Sequence, residues 1–168
     1  MKKTEVIVFN KENVNTGLSK KGYGYTYFTK KDFKLGEKLM MGFGRILDHQ
    51  TSHMSVQIGP NKHYLPSKWT GRYWNHSCAP NAFVKTNKEG FPELFALKKI
   101  NKGEEITYHY SMTELRWVKN AKENFVRCLC GEKTCKGKIL SFTQLSLQDK
   151  KKLLNKKICS KYLTGILK

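Results

Sequence analysis

Arginine, acidic side chains and long apolar runs are all scarce in this chain of 168 residues, and each shortage excludes something. Only four of the 32 basic residues are arginine (Arg45, Arg72, Arg116 and Arg127). Base reading and bidentate phosphate recognition favour the planar guanidinium, so the formal charge of +19 reads first as a lysine-rich, solvated surface. Thirteen acidic residues provide no long-range steering toward a basic partner, although they allow a locally acidic groove. The apolar run Val6-Ile7-Val8-Phe9, behind Met1-Lys2-Lys3, is well below the length of a signal-peptide core or a membrane span. Neither export nor membrane insertion is therefore expected, and the expected location is the cytoplasm, or the nucleus of a host if the protein is delivered there. On that view the acceptor-like triplet Asn75-His76-Ser77 matches a glycosylation site by accident. No internal repeat or low-complexity linker is present, which excludes a solenoid or a chain of tethered modules.

What is present suffices for one domain with a proper core. The apolar fraction is 39%, with 12% aromatic residues, enough burial to offset chain entropy. Short β-rich runs alternate with turn residues and predict strands at Val6 to Phe9, Tyr23 to Phe28, Lys38 to Met41, Met54 to Ile58, Ala82 to Val84, Glu93 to Leu97 and Glu105 to Tyr110. Glycines mark the corners between them. The pattern turns helical and polar from Ser111 to Phe125. Ser146, with Asp149 three residues on, predicts the capped start of a last amphipathic helix whose inner face carries Leu147, Leu154, Ile158 and Tyr162. The expected class is mainly β with short helices.

Five cysteines in a chain expected to stay in a reducing compartment favour metal ligation over disulfides. Cys128 and Cys130 are too close for an unstrained mutual bridge, and Cys135 follows a turn through Gly131. Three thiolates converging in eight residues suit a tetrahedral Zn²⁺ with one ligand still to be supplied. Cys159, on the last helix, reads as a packed thiol.

Four further segments occur in a fixed order: Lys21-Gly22-Tyr23-Gly24, Gly36-Glu37, Arg72-Tyr73-Trp74-Asn75-His76-Ser77-Cys78-Ala79-Pro80-Asn81, and Gly103-Glu104-Glu105-Ile106-Thr107-Tyr108-His109-Tyr110. Together with the cysteine cluster they resemble the SET-domain protein lysine methyltransferases that end in a zinc-binding post-SET tail, in particular small stand-alone bacterial members. The resemblance covers residues 4 to 140. It implies a β-clip fold with a knot-like core, divided into a SET domain at 4–111, a connecting helix and post-SET zinc tail at 112–140, and a C-terminal helix at 141–168. It supplies the fourth zinc ligand, Cys78, completing a structural site with Cys128, Cys130 and Cys135. It also implies an S-adenosylmethionine site at Lys21, Gly22, Tyr23, Gly24, Ser52, His53, Arg72, Tyr73, Asn75, His76 and Tyr110, with Arg72 beside the cofactor's carboxylate. Tyr110 stands where the family has its catalytic tyrosine, and Tyr108 where a phenylalanine-or-tyrosine switch sets how many methyl groups are added.

The residues fit that chemistry. A lysine ε-amine titrates near 10.4, so at pH 7 about one in a few thousand is nucleophilic; an apolar channel lowers that value by desolvating the ammonium. Tyr108 and Tyr110, two apart in a strand-like run, should share one face, with His109 on the other. Aromatic walls also tolerate a methylated cation. The expected function is methylation of a protein lysine, chiefly to the monomethyl state, on a histone or another basic DNA- or RNA-associated protein. His109 stands where the family usually has Asp, Tyr73-Trp74 replace Phe and an aliphatic residue, and Ser52-His53 replace a Ser-Tyr pair. Two rivals keep other readings open: a basic nucleic-acid-binding module with a zinc knuckle, and a catalytically weak SET-fold peptide binder. The lysines at 150–152, 156 and 157 read as a solvated helix face rather than a nuclear-entry signal.

Overall fold

A computed structural model of the chain describes residues 2–68, 70–116 and 126–166. In chain order the elements are α1 (Lys3–Asn13), β1 (Val14–Leu18), β2 (Tyr25–Thr29), β3 (Lys38–Met41), β4 (Gly44–Leu47), β5 (Val56–Gly59), β6 (Lys62–Pro66), β7 (Asn75–His76), β8 (Ala82–Thr86), β9 (Pro92–Ala96), β10 (Thr107–Tyr108), β11 (Val126–Arg127), β12 (Lys138–Ile139) and α2 (Leu147–Asn155). Small sheets replace any single large one. β1 pairs with β2, β3-β9-β8 and β4-β6-β5 form antiparallel triplets, β11 pairs with β12, and β7 lies parallel to β10. The class is mainly β with two short helices, as the turn-punctuated sequence predicts.

The N-terminal run departs from expectation: Val6 to Phe9 is helical. Its β-branched residues favour a strand locally, but burial follows a helical spacing, with Val6, Asn10 and Asn13 inward and Val8 exposed. The Glu5 carboxylate accepts the Lys2 N–H at 2.9 Å, closing the first turn. Two asparagines then dock the helix on β3. Asn10 donates Nδ2 to Met41 O at 2.8 Å and accepts Met41 N–H at 2.9 Å, while Asn13 Nδ2 donates to Leu39 O at 3.0 Å. Tertiary pairing thus overrides propensity.

Strands β1, β4, β6 and β7 lie outside the predicted set. Each is polar or very short and owes its extended form to a partner, β1 to β2 and β4 with β5 to β6. The predicted strand at Glu105 to Tyr110 shrinks to β10 because Tyr110 opens a 3₁₀ turn, Tyr110–Met112. Of the helical stretch expected to follow, residues 117–125 lie outside the described residues.

The core joins both ends of the chain. Leu39, Met40, Leu94, Ile100 and Ile106 pack with Met112, Phe142 and Leu163, and Cys159 is packed among them. Ser146 caps α2 as expected, accepting the Asp149 N–H at 3.1 Å. The helix is shorter than predicted, however. It ends at Asn155, and Lys157, with φ at 53°, breaks the phase, so Ile158 and Tyr162 reach the core from a following loop and a 3₁₀ turn at Lys161–Gly165. Leu147, expected inside, sits in the first turn and is exposed.

Replacing Asn10 by alanine strands the Met41 N–H and C=O beneath α1. The expected cost is about 2–4 kcal/mol, read as a lowered urea midpoint. A loss below about 1 kcal/mol would show that the two bonds do not dock the helix.

Candidate active site and cysteine cluster

β7 and β10 are two residues long, yet their pairing assembles the site. Asn75 faces Thr107 and His76 faces Tyr108, and the ladder continues as Ser77 N–H to Tyr108 O at 3.1 Å and Asn81 N–H to Thr107 O at 3.2 Å. The Asn81 side chain extends it, accepting Thr107 N–H at 2.9 Å and donating to Glu105 O at 2.8 Å.

Beside this pair lies a cavity of about 280 Å³. Tyr23, Tyr25, Tyr73, Trp74, Tyr108 and Tyr110 give it an aromatic wall, and Arg72, Asn75, His53 and Glu114 add polar groups. The phase argument holds: the Tyr108 and Tyr110 ring centroids are 5.1 Å apart on this cavity, while His109 lines a second cavity on the far side. Tyr110 is fixed at both ends. Its N–H donates to His76 Nδ1 at 3.2 Å, and its hydroxyl donates to Trp74 O at 3.0 Å. Burial holds both phenols well above their ordinary value, so they are neutral near pH 7. The Tyr108 ring is 2% exposed, its hydroxyl 3.4 Å from Thr113 Oγ1 and the Trp74 ring edge-on to it at 82°.

Seven of the residues predicted for cofactor and catalysis line the cavity: Tyr23, His53, Arg72, Tyr73, Asn75, Tyr108 and Tyr110. The others stand behind it or beside it. Gly22 and Gly24 adopt φ of 80° and 91°, which L side chains resist, and no atom lies within 4 Å of where their Cβ would be. That turn therefore offers bare backbone. It is held by Tyr23, whose hydroxyl donates to Glu105 Oε1 at 2.5 Å. Lys21 pairs with Glu132 of the tail at 2.8 Å. Ser52 accepts the Met54 N–H at 3.1 Å and so shapes the turn that presents His53. His76 is buried. Because its Nδ1 accepts from Tyr110, its proton belongs on Nε2, which lies 3.3 Å from Cys78 Sγ. Burial, aided by His109, pushes His76 down to about 3 and keeps it neutral.

Sequence reasoning missed Tyr25, Gln50, Met54 and Glu114 as lining residues. Glu114 is 6% exposed, and burial raises its carboxyl to about 7 against hydrogen bonds from Gln57 N–H and Thr113 that work downward. Folding thus favours the acid form, and this contribution to stability fades as pH rises through about 7. The one sequence signal is position, an acidic residue four after Tyr110.

The sulfurs of Cys78, Cys128, Cys130 and Cys135 all lie within 4.8 Å of one another, and Cys78 and Cys128 are 3.8 Å apart. A tetrahedron with bonds near 2.3 Å separates its sulfurs by about 3.8 Å, so the donor set fits zinc. The N–H groups of Cys78 and Glu132 and the neighbouring thiols overcome burial at Cys130 and lower its value. Glu132 ties this tail to the cofactor turn through Lys21 and to Ser77 Oγ at 3.3 Å. Fit to S-adenosylmethionine rests on the open turn at Gly22 and Gly24, on Arg72, and on Trp74 Nε1, a buried donor without a partner among the described residues.

Three relatives are at least 30% identical. The histone-lysine N-methyltransferase SETDB2 of Xenopus laevis is 36% identical over 118 residues, covering 62% of this chain and 16% of that protein. An H3 lysine-36-specific enzyme of Yarrowia lipolytica is 31% identical, covering 74% and 18%, and mes-4 of Caenorhabditis elegans is 32% identical, covering 68% and 15%. The chain spans less than a fifth of these relatives. Among solved structures, KRYPTONITE in complex with mCHH DNA, an H3(1-15) peptide and SAH superposes with a TM-score of 0.63 at 22% identity, over 76% of this chain and 29% of that one. The SET domain family model matches residues 4–111, and with the paired β7 and β10 and the cavity beside them this places the chain in the SET-domain family.

Proposed function

We propose that this chain transfers a methyl group from S-adenosylmethionine to the ε-amine of a protein lysine. The observation that carries the reading is the meeting of Tyr108, Tyr110, Arg72 and Asn75 on one aromatic cavity in a SET-domain chain. S-adenosylmethionine, when bound, supplies the electrophilic methyl. Everything else falls to the chain. Arg72 and the open backbone of Gly22 to Gly24 hold the donor's polar end, with Asn75 and His76 beside it. The tyrosine wall strips water from the incoming ammonium and favours its neutral form. Tyr110, its hydroxyl anchored on Trp74 O, aligns the amine; it is no simple base, because burial keeps its proton on. Most of the acceleration then comes from alignment and desolvation.

The relatives named as histone-lysine methyltransferases support a histone or another basic protein as substrate. Monomethylation follows from Tyr108: a buried hydroxyl near Thr113, backed by the Trp74 edge, occupies the space a methylated amine needs to realign. Cys78, Cys128, Cys130 and Cys135 would hold one structural zinc that fastens the tail beside the cavity.

Labelled donor incubated with histones and with cell lysate, followed by mass spectrometry, should reveal modified lysine in mainly the monomethyl state. Tyr108→Phe should raise the dimethyl and trimethyl share with activity kept, whereas Tyr110→Phe should slow every step by about a hundredfold. Abundant trimethyl-lysine from the unaltered protein would refute the role of Tyr108. Elemental analysis should find one zinc per chain, and chelation should expose the tail to protease before the rest unfolds. Cys159→Ser should retain the metal. A metal-free native protein with four reactive thiols would contradict the zinc site.

A further inference from the structure

Glu114 has two features that a structural carboxylate does not need. Its Oε1 accepts the Gln57 N–H from β5 at 2.9 Å and the Thr113 hydroxyl at 3.3 Å, bonds that a glutamine oxygen would accept equally well. Its backbone is clamped as well, the N–H donating to Tyr110 O and the carbonyl accepting the Phe142 N–H, each at 2.8 Å. Ionisability is therefore surplus to the fold. The second feature is isolation: no cation among the described residues forms an ion pair with it, although a charge this deep is costly unless paired. The carboxyl lines the same cavity as Tyr108 and Tyr110, and Tyr162 closes the wall behind it by donating its hydroxyl to Thr113 O.

We infer that Glu114 is the acceptor for the substrate lysine, drawing the ammonium into the aromatic cavity and taking its proton before methyl transfer. This rests on the reading of the chain as a lysine methyltransferase. The proton passes from nitrogen to a carboxylate oxygen, and the N–H electron pair stays on nitrogen as the lone pair. That pair forms the new N–C bond while the bond from the methyl carbon to the sulfonium breaks, its electrons remaining on sulfur. The proton rests on Glu114 until the methylammonium product leaves, and then passes to water.

The groups facing Glu114 suit the exchange. Tyr108 and Tyr110 from the β10 segment, Tyr162 from the C-terminal segment and Tyr23 from the cofactor turn are all raised by burial and stay neutral at pH 7. Tyr25, Tyr73, His53 and Arg72 complete the cavity's titratable set. With its acid form raised to about 7, Glu114 is poised to give and take a proton at neutral pH.

Glu114→Gln keeps the two accepted hydrogen bonds and should keep the melting temperature and the affinity for S-adenosylhomocysteine. Its methylation rate at pH 7 should fall by about a hundredfold, and the gap should close as pH approaches about 10, where solvent takes the lysine proton unaided. Glu114→Asp should keep the wild-type pH profile at a lower rate. A binding measurement gives a readout without turnover. With S-adenosylhomocysteine bound, the wild type should prefer the peptide carrying the lysine identified above over its norleucine copy by about tenfold, and Glu114→Gln should lose that preference. An equal loss of rate at every pH, or an unchanged lysine preference in Glu114→Gln, would overturn the assignment while leaving the methyltransferase reading intact. A wild type that binds donor but methylates nothing would overturn that reading and this one with it.

Discussion

Two residues of parallel pairing decide whether this molecule has a site. Asn75-His76 beside Thr107-Tyr108 would be too short a ladder to persist alone, and Asn81 lengthens it by lending its side-chain amide as a further rung. From this seam the other parts hang. Tyr110 takes its backbone position from the His76 ring and its hydroxyl direction from Trp74 O, while Cys78, two residues past the seam, brings the cysteine cluster to the same place. His76 touches both, so the metal cluster and the tyrosine share one rigid neighbour.

The chain's large positive charge and its proposed basic substrate are compatible because the two act over different ranges. At physiological salt, exposed charges are screened beyond about 8 Å, whereas groups inside a desolvated cavity act at full strength on whatever enters. The surface lysines therefore govern encounter, and the aromatic wall with its single carboxyl, Glu114, governs what happens after entry. The Lys21 to Glu132 pair belongs to the first kind: about one third exposed on each side, it adds little by itself beside the four converging thiols.

Much of this was legible in the sequence, for a physical reason. Motifs whose backbone is dictated by glycines, by a strand's two-residue period or by metal-ligand spacing carry their geometry with them, which is why the common face of Tyr108 and Tyr110 and the convergence of Cys78 with the later cysteines could be anticipated. Residues whose state depends on distant partners were not legible. Val6 to Phe9 reads as a strand until Asn10 and Asn13 find β3, Leu147 reads as buried until Lys157 breaks the helix phase, and β1 has no strand signal apart from β2. Glu114 is the clearest such case: nothing in Thr-Glu-Leu distinguishes a solvated carboxylate from one shut behind Tyr162.

The seam also fixes an order of events during synthesis. Its halves lie about thirty residues apart with the β8-β9 hairpin between them, so local hairpin formation can shorten the loop that the parallel pair must close. The core itself waits longer, because Phe142 and Leu163, both fully buried, pack against elements made far earlier. A nascent chain cannot complete this interior until Leu163 has left the ribosome. Until then the tyrosine wall lacks its backing, and the growing polypeptide has no formed pocket in which to engage either donor or acceptor.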